Sequence, residues 1–115
     1  MTGATTKLRG ALVGFGAVAE NGHLPAWRLR TDAEIVAVAE AASARRAAAA
    51  ALIPGARRYG SLAELLRSEK ELDFADIATP PHLHAEQALA TLSAGLHTLC
   101  EKPLALSARD FEALR

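Results

Sequence analysis

The chain has 115 residues, half of them hydrophobic and 23% charged, with 13 basic and 13 acidic side chains that cancel. That length suits one domain with a real core rather than two, and zero net charge with 4% aromatics lacks the basic, ring-bearing surface of a nucleic-acid module. No uncharged stretch reaches a membrane span, Met1–Lys7 carries no apolar leader core, and the single Cys100 excludes an internal disulfide framework, so a soluble cytoplasmic protein is expected.

Residues 1–7 are expected to form a flexible lead-in to one domain over 8–115. The apolar run Leu8–Phe15 predicts a first strand. Val18–Arg30 follows with a helical pattern, but Gly22 and Pro25 predict one short turn and a restart near Pro25. Glu34–Glu40 is the second strand. Ser43–Leu52 is an Ala-rich helix that Pro54-Gly55 stops. Arg57–Tyr59 is a weaker third strand, and Ser61–Arg67 a helix whose Ser61 and Glu64 have capping-box spacing. Phe74–Thr79 is the fourth strand. In the helix Leu83–Ala94, which Gly95 ends, Ala85, Ala88, Leu89 and Leu92 repeat at helical spacing and should face the sheet. Leu96–Cys100 is the fifth strand. The last helix, Ser107–Arg115, starts with Ser107 and Asp110 at cap spacing and with Leu106 and Phe111 placed as a hydrophobic staple. Strands that alternate with helices predict an α/β fold with a doubly wound parallel sheet, Rossmann-like.

Four constellations carry chemistry. Gly14-Phe15-Gly16-Ala17-Val18-Ala19 follows a strand and opens a helix: Gly14 allows a tight turn, Gly16 lets amides approach a pyrophosphate, and Ala19 is small enough for close helix–strand packing. The plainer alternative is a tight turn with no ligand. Glu40 closes the second strand 24 residues after Gly16, where a dinucleotide fold wants a carboxylate for the adenosine ribose hydroxyls. A solvated strand-end Glu is its alternative. Glu40 favours NAD, and Arg45 and Arg46 nearby keep NADP open, because an Arg can hold a 2′-phosphate.

Thr79-Pro80-Pro81-His82-Leu83-His84 follows the fourth strand, beside the switch point where such sheets bind ligands. The prolines make a stiff wall, or else simply start a helix. His82 and His84 are two apart and share no helix face, so no metal site is expected; His23 and His97 look like surface or strand-end residues. Glu101-Lys102-Pro103 leaves the fifth strand on the same rim. Its Lys suits proton transfer in a closed cleft, and a salt-bridged loop is the plainer alternative.

Together these stretches resemble the N-terminal cofactor domain of the glucose-fructose oxidoreductase, inositol dehydrogenase and rhizopine-catabolism (Gfo/Idh/MocA) family. The likeness runs from Leu8-Arg9-Gly10-Ala11-Leu12-Val13-Gly14-Phe15-Gly16 to the helix after Glu101-Lys102-Pro103. Its specific part is Asp76-Ile77-Ala78-Thr79-Pro80-Pro81-His82-Leu83-His84, then Ala94-Gly95-Leu96-His97, then Cys100-Glu101-Lys102-Pro103-Leu104-Ala105. The resemblance implies that Gly14, Gly16 and Ala19 line the pyrophosphate, with Phe15, Ala17 and Val18 in the same loop. Glu40 takes the ribose, Thr79, Pro80 and Pro81 border the cofactor, and His84 stands at the family's usual His position. Glu101 reaches the nicotinamide side, and Lys102 meets substrate and nicotinamide as the catalytic lysine.

The resemblance also implies a second domain, an open antiparallel sheet with helices that holds the substrate pocket. Nothing here matches it, and the helical pattern from Ser107 has no stop signal at Arg115. The expectation is therefore a domain truncated before its sixth strand and before the C-terminal α/β substrate domain, and inactive alone. The whole enzyme would oxidise or reduce a sugar, inositol or similar secondary alcohol with NAD, and a homo-oligomer stays open. A non-catalytic nucleotide-binding module is the rival from another class. A methyltransferase, which also sets a glycine loop before an acidic strand end, fits Glu101-Lys102-Pro103 poorly.

Overall fold

A computed structural model describes residues 6–115, so most of the expected lead-in over 1–7 lies outside the described residues. Five short strands form one parallel sheet: β1 (Leu8–Val13), β2 (Ala33–Ala39), β3 (Arg57–Tyr59), β4 (Phe74–Ile77) and β5 (His97–Cys100). Their order is β3-β2-β1-β4-β5, with every pairing parallel. Between and after them run α1 (Leu24–Arg28), α2 (Ser43–Leu52), α3 (Leu62–Ser68), α4 (His84–Ser93) and α5 (Ala108–Leu114).

Side chains alternate across the sheet, so successive residues of β1 feed two cores. Leu12 and Val38 pack on one face with Leu24 of α1 and Ala49 of α2. Ala11, Val13, Ala37 and Ile77 pack on the other, against Leu65 of α3 and Ala88 of α4. Helices on both faces make the doubly wound sheet that continuous apolar strands predict. Gly10 admits the Phe74 ring, since a Cβ there would lie 2.0 Å from it. That ring in turn meets Trp27 at 4.6 Å between centroids.

The predicted caps form. Ser61 Oγ accepts the Glu64 N–H and Ser107 Oγ the Asp110 N–H, each at 3.1 Å. Gly95 ends α4 at φ 85°. Leu106 and Phe111, placed as a staple at α5, are 63% and 51% exposed.

Two expectations need correction. The segment before Pro25 does not break: Ala19–His23 is a widened turn in which the Leu24 N–H donates to Ala19 O, and it runs directly into α1. Pro25 has no N–H to give, and a five-residue spacing just ahead of it absorbs the loss without a restart. In α4 the buried residues are His84, Ala88 and Thr91, whereas Leu89 and Leu92 are 44% and 45% exposed. Hydrogen bonds decide that face. The His84 ring is drawn in by two carbonyls, and the Thr91 hydroxyl bonds that of Thr98 at 2.7 Å.

Candidate functional site

The glycine turn starts where β1 ends. Gly14 sits at φ 93°, and its N–H donates to Ala39 O at 2.7 Å, which stitches the turn to the end of β2. An added Cβ at Gly14 would lie 2.8 Å from Thr79 Cγ2, so the turn needs glycine for both backbone and space. Phe15 and Ala19 are fully buried, whereas Ala17 and Val18 are exposed. Gly16 differs from Gly14: a Cβ there meets nothing within 4 Å. Its missing side chain leaves room for something outside the protein.

Glu40 emerges from β2 beside this turn. Its Oε1 accepts the Phe15 N–H and its Oε2 the Ala42 N–H, both at 2.8 Å. The carboxylate is thus aimed across the turn with lone pairs to spare. The neighbouring arginines are already engaged. Arg45 donates to Phe15 O at 2.7 Å and to Glu20 at 2.8 Å, with its guanidinium 6.0 Å above the Phe15 ring. Arg46 donates to the carbonyls of Glu40 and Ala41.

Opposite stands the segment after β4. The Ala78 N–H donates to Val13 O at 2.9 Å, Thr79 Oγ1 bonds Gln87, and Pro81–Leu83 makes one tight turn into α4. Gly14, Gly16, Glu40, Thr79 and Pro80 together line a cleft of about 820 Å³ at the C-terminal ends of β1, β2 and β4. The fold brings these five predicted residues to one place. Pro81 is exposed at the start of the tight turn, outside the cleft wall.

His84, Glu101 and Lys102 lie elsewhere. His84 is 1% exposed; its Nε2 lies 2.6 Å from Thr79 O and its Nδ1 2.7 Å from Pro103 O. The Glu101 backbone N–H extends the sheet by donating to Ile77 O at 3.0 Å. Its side chain turns to a second groove of about 500 Å³, shared with His23, Trp27, Asp76, Leu99 and Cys100. Lys102 is exposed between Glu101 and Pro103, and no ion pair engages it among the described residues.

The second groove holds what the sequence reading missed. Asp76 is fully buried in β4 and receives the Trp27 indole N–H at 2.7 Å. His23 Nδ1 lies 2.7 Å from the same carboxylate, and His23 Nε2 lies 2.6 Å from Glu101 Oε1. Burial opposes charge on His23, but hydrogen bonds to Asp76 and Glu101 and their negative charges prevail, so its pKa is raised above 6.5. The same His23 bond holds Glu101 below the ordinary carboxylate value against a smaller desolvation penalty. Burial, followed by the charges of Asp76 and Glu101, pushes the Cys100 thiol up, so it is a poor nucleophile. One signal was available in sequence: an Asp inside an apolar strand needs a partner.

A parallel sheet with a glycine turn, a strand-end carboxylate and a cleft at the switch point defines a dinucleotide-binding domain. A family model described as the NAD-binding Rossmann fold of the GFO_IDH_MocA oxidoreductases matches residues 8–115. The chain belongs to that family, described as an NAD-binding fold. It is 39% identical over 113 residues to D-apiose dehydrogenase of Paraburkholderia graminis, with 98% of this chain and 30% of that protein covered. It is 38% identical over 111 residues to inositol 2-dehydrogenase of Leifsonia xyli, covering 96% of this chain and 32% of that protein. The solved WlbA dehydrogenase of Bordetella pertussis, in complex with NADH and UDP-GlcNAcA, superposes with a TM-score of 0.87 at 34% identity, covering 94% and 32% of the two chains. The chain thus spans about a third of the length of these relatives.

Proposed function

We propose that this chain is the cofactor half of an oxidoreductase that moves a hydride between NAD and a secondary-alcohol carbon of a sugar, inositol or related polyol. The carrying observation is the convergence of Gly14, Gly16, Glu40, Thr79 and Pro80 on one cleft. The open space at Gly16 and the spare lone pairs of Glu40 fit a dinucleotide. When bound, NAD supplies the hydride acceptor or donor.

In this reading Gly14 and Gly16 lie along the pyrophosphate, the amides that open the helix at Ala17 and Val18 face it, and Ala19 lets that helix pack close. Glu40 accepts the ribose hydroxyls and repels a 2′-phosphate, so NAD is preferred to NADP. That Arg45 and Arg46 already bond backbone carbonyls supports the preference. Thr79, Pro80 and Pro81 form the stiff side of the cofactor channel, and His84 braces it from inside. Glu101 and Lys102 face the nicotinamide end, where Lys102 holds or moves the proton of the reacting alcohol. The residues over 8–115 make one wall of the reaction site, so the chain alone binds cofactor without turnover.

Amide-resolved NMR titration with NADH and NADPH tests this. Tighter NADH binding, with the largest shifts at Gly16 and Glu40, is the expected result. Binding that leaves those two signals unmoved would overturn the site, and a Lys102 that proves dispensable in a full-length relative would leave a non-catalytic nucleotide-binding module.

A further inference from the structure

We propose that His23 is a positioning residue: its imidazole, donating from both nitrogens, ties Glu101 to the buried Asp76 and so sets where Lys102 stands. The inference rests on the reading of Lys102 as the proton-transfer group.

The donor count carries it. A carboxylate only accepts hydrogen bonds, and both His23 nitrogens sit within 2.7 Å of the carboxylate oxygens of Asp76 and Glu101. Both bonds form only when the ring carries two protons. Asp76 does not need Glu101 for its own satisfaction, because the Trp27 N–H already reaches it. The second His23 nitrogen therefore reaches outward, to a loop residue whose side chain is 40% exposed.

The loop shows what that reach achieves. Pro103 O is held by His84 Nδ1 at 2.7 Å, and His84 Nε2 is in turn set against Thr79 O just after β4. Glu101-Lys102-Pro103 is thus fixed to β4 and its exit at both ends, Glu101 by its backbone bond to Ile77 O and its side chain through His23, Pro103 through His84, with Lys102 between them. Releasing His23 frees the Glu101 side chain, while the backbone bond from Glu101 to Ile77 O remains. A neutral His23 keeps its proton on Nδ1 for the buried Asp76 and turns an Nε2 lone pair towards the Glu101 carboxylate, which repels it. The tie is closed at low pH and opens as His23 deprotonates.

The groups that face His23 are Asp76 on β4, Cys100 and Glu101 at the end of β5, and Arg30 just beyond α1 across the same groove. His84 acts on Glu101 from the other side.

The test is long-range nitrogen–proton NMR of the 115-residue chain across pH, with and without NADH. The doubly protonated His23 ring is expected at pH 6, with a midpoint above that of a free imidazole. The Lys102 amide signal is expected to move at that same midpoint. His23→Gln should abolish the step at Lys102 and speed its amide exchange roughly tenfold, the loss expected for one charge-assisted bond. Glu101→Gln covers the case in which that variant fails to fold. Its side-chain N–H can donate to a neutral His23, so the His23 midpoint should fall and Lys102 should cease to follow it. A single neutral tautomer of His23 at pH 6, or a Lys102 signal indifferent to its titration, overturns the tie. An NADH response at Gly16 and Glu40 without this coupling sinks the tie alone, whereas coupling without an NADH response sinks the cofactor reading and upholds the tie.

Discussion

Gly14 and Gly16 stand two apart in one turn and are glycine for different reasons. Gly14→Ala puts a Cβ at φ 93° and 2.8 Å from Thr79 Cγ2, so it should cost the fold about 1–2 kcal/mol or more, read as a lower urea midpoint. Gly16→Val meets open space, so the fold should survive with unchanged circular dichroism while NADH affinity falls roughly tenfold or more. Equal stability losses in the two variants would show that the turn serves packing only. Glu40→Ala removes a charged acceptor, and NADH binding should weaken roughly tenfold while NADPH binding changes little or improves. Isothermal titration with both nucleotides reads the difference, and an unchanged NADH:NADPH ratio would exclude Glu40 as the ribose ligand. At the far rim, His23 is raised above its ordinary 6.5, so its contribution to stability is fully present below that value and is lost as pH rises through the folded pKa. Glu101 is depressed below its ordinary 4.5, so its contribution is present above that value and is lost as pH falls through the folded pKa. Urea midpoints should therefore show a plateau between about pH 4.5 and 6.5, and His23→Gln should flatten the alkaline fall-off.

The elements show where local rules suffice. The strands and the helix caps at Ser61 and Ser107 follow from short-range pattern, because each reports a free energy settled within a few residues, and the parallel arrangement follows from the alternation of strands and helices along the chain. The first helix and α4 depart from it. Near Pro25 the chain keeps its helix by widening one turn, which no propensity scale encodes. In α4 polar His84 and Thr91 outcompete Leu89 and Leu92 for the interior because the fold offers them partners. Among the described residues β5 is the last strand on its side of the sheet, and Leu99 is 53% exposed beside the second groove. An unpaired edge next to exposed apolar side chains favours association. Light scattering should report a mean mass that rises with concentration, and Leu99→Lys should suppress the rise. A constant monomer mass at high concentration would refute the argument.

For the whole molecule, the proposed function gives these residues the cofactor cleft and one flank of the reaction site. Positioning a substrate against the nicotinamide can be worth roughly 7–11 kcal/mol of barrier, and nothing over 8–115 supplies the facing wall. A panel of sugars and inositols should therefore give no NAD reduction with this chain, even at saturating cofactor. Turnover that disappears in Lys102→Ala would show that the chain carries a complete site. The glycine turn and Glu40 were legible in the amino-acid sequence because each is tied to the end of a strand that its own apolar run specifies. The Thr79–Pro80 wall was legible for the same reason. The residues around His23 were not. His23 meets Asp76 across 53 residues and Glu101 across 78, and nothing local marks any of the three as partners. By itself the sequence determined the order of strands and helices, the turn and the carboxylate, since these depend on backbone sterics and on apolar spacing along a short stretch. Only the tertiary structure decided which polar groups lose water together, because removing a carboxylate from solvent forces a choice of partner that exists only once the sheet has closed around it.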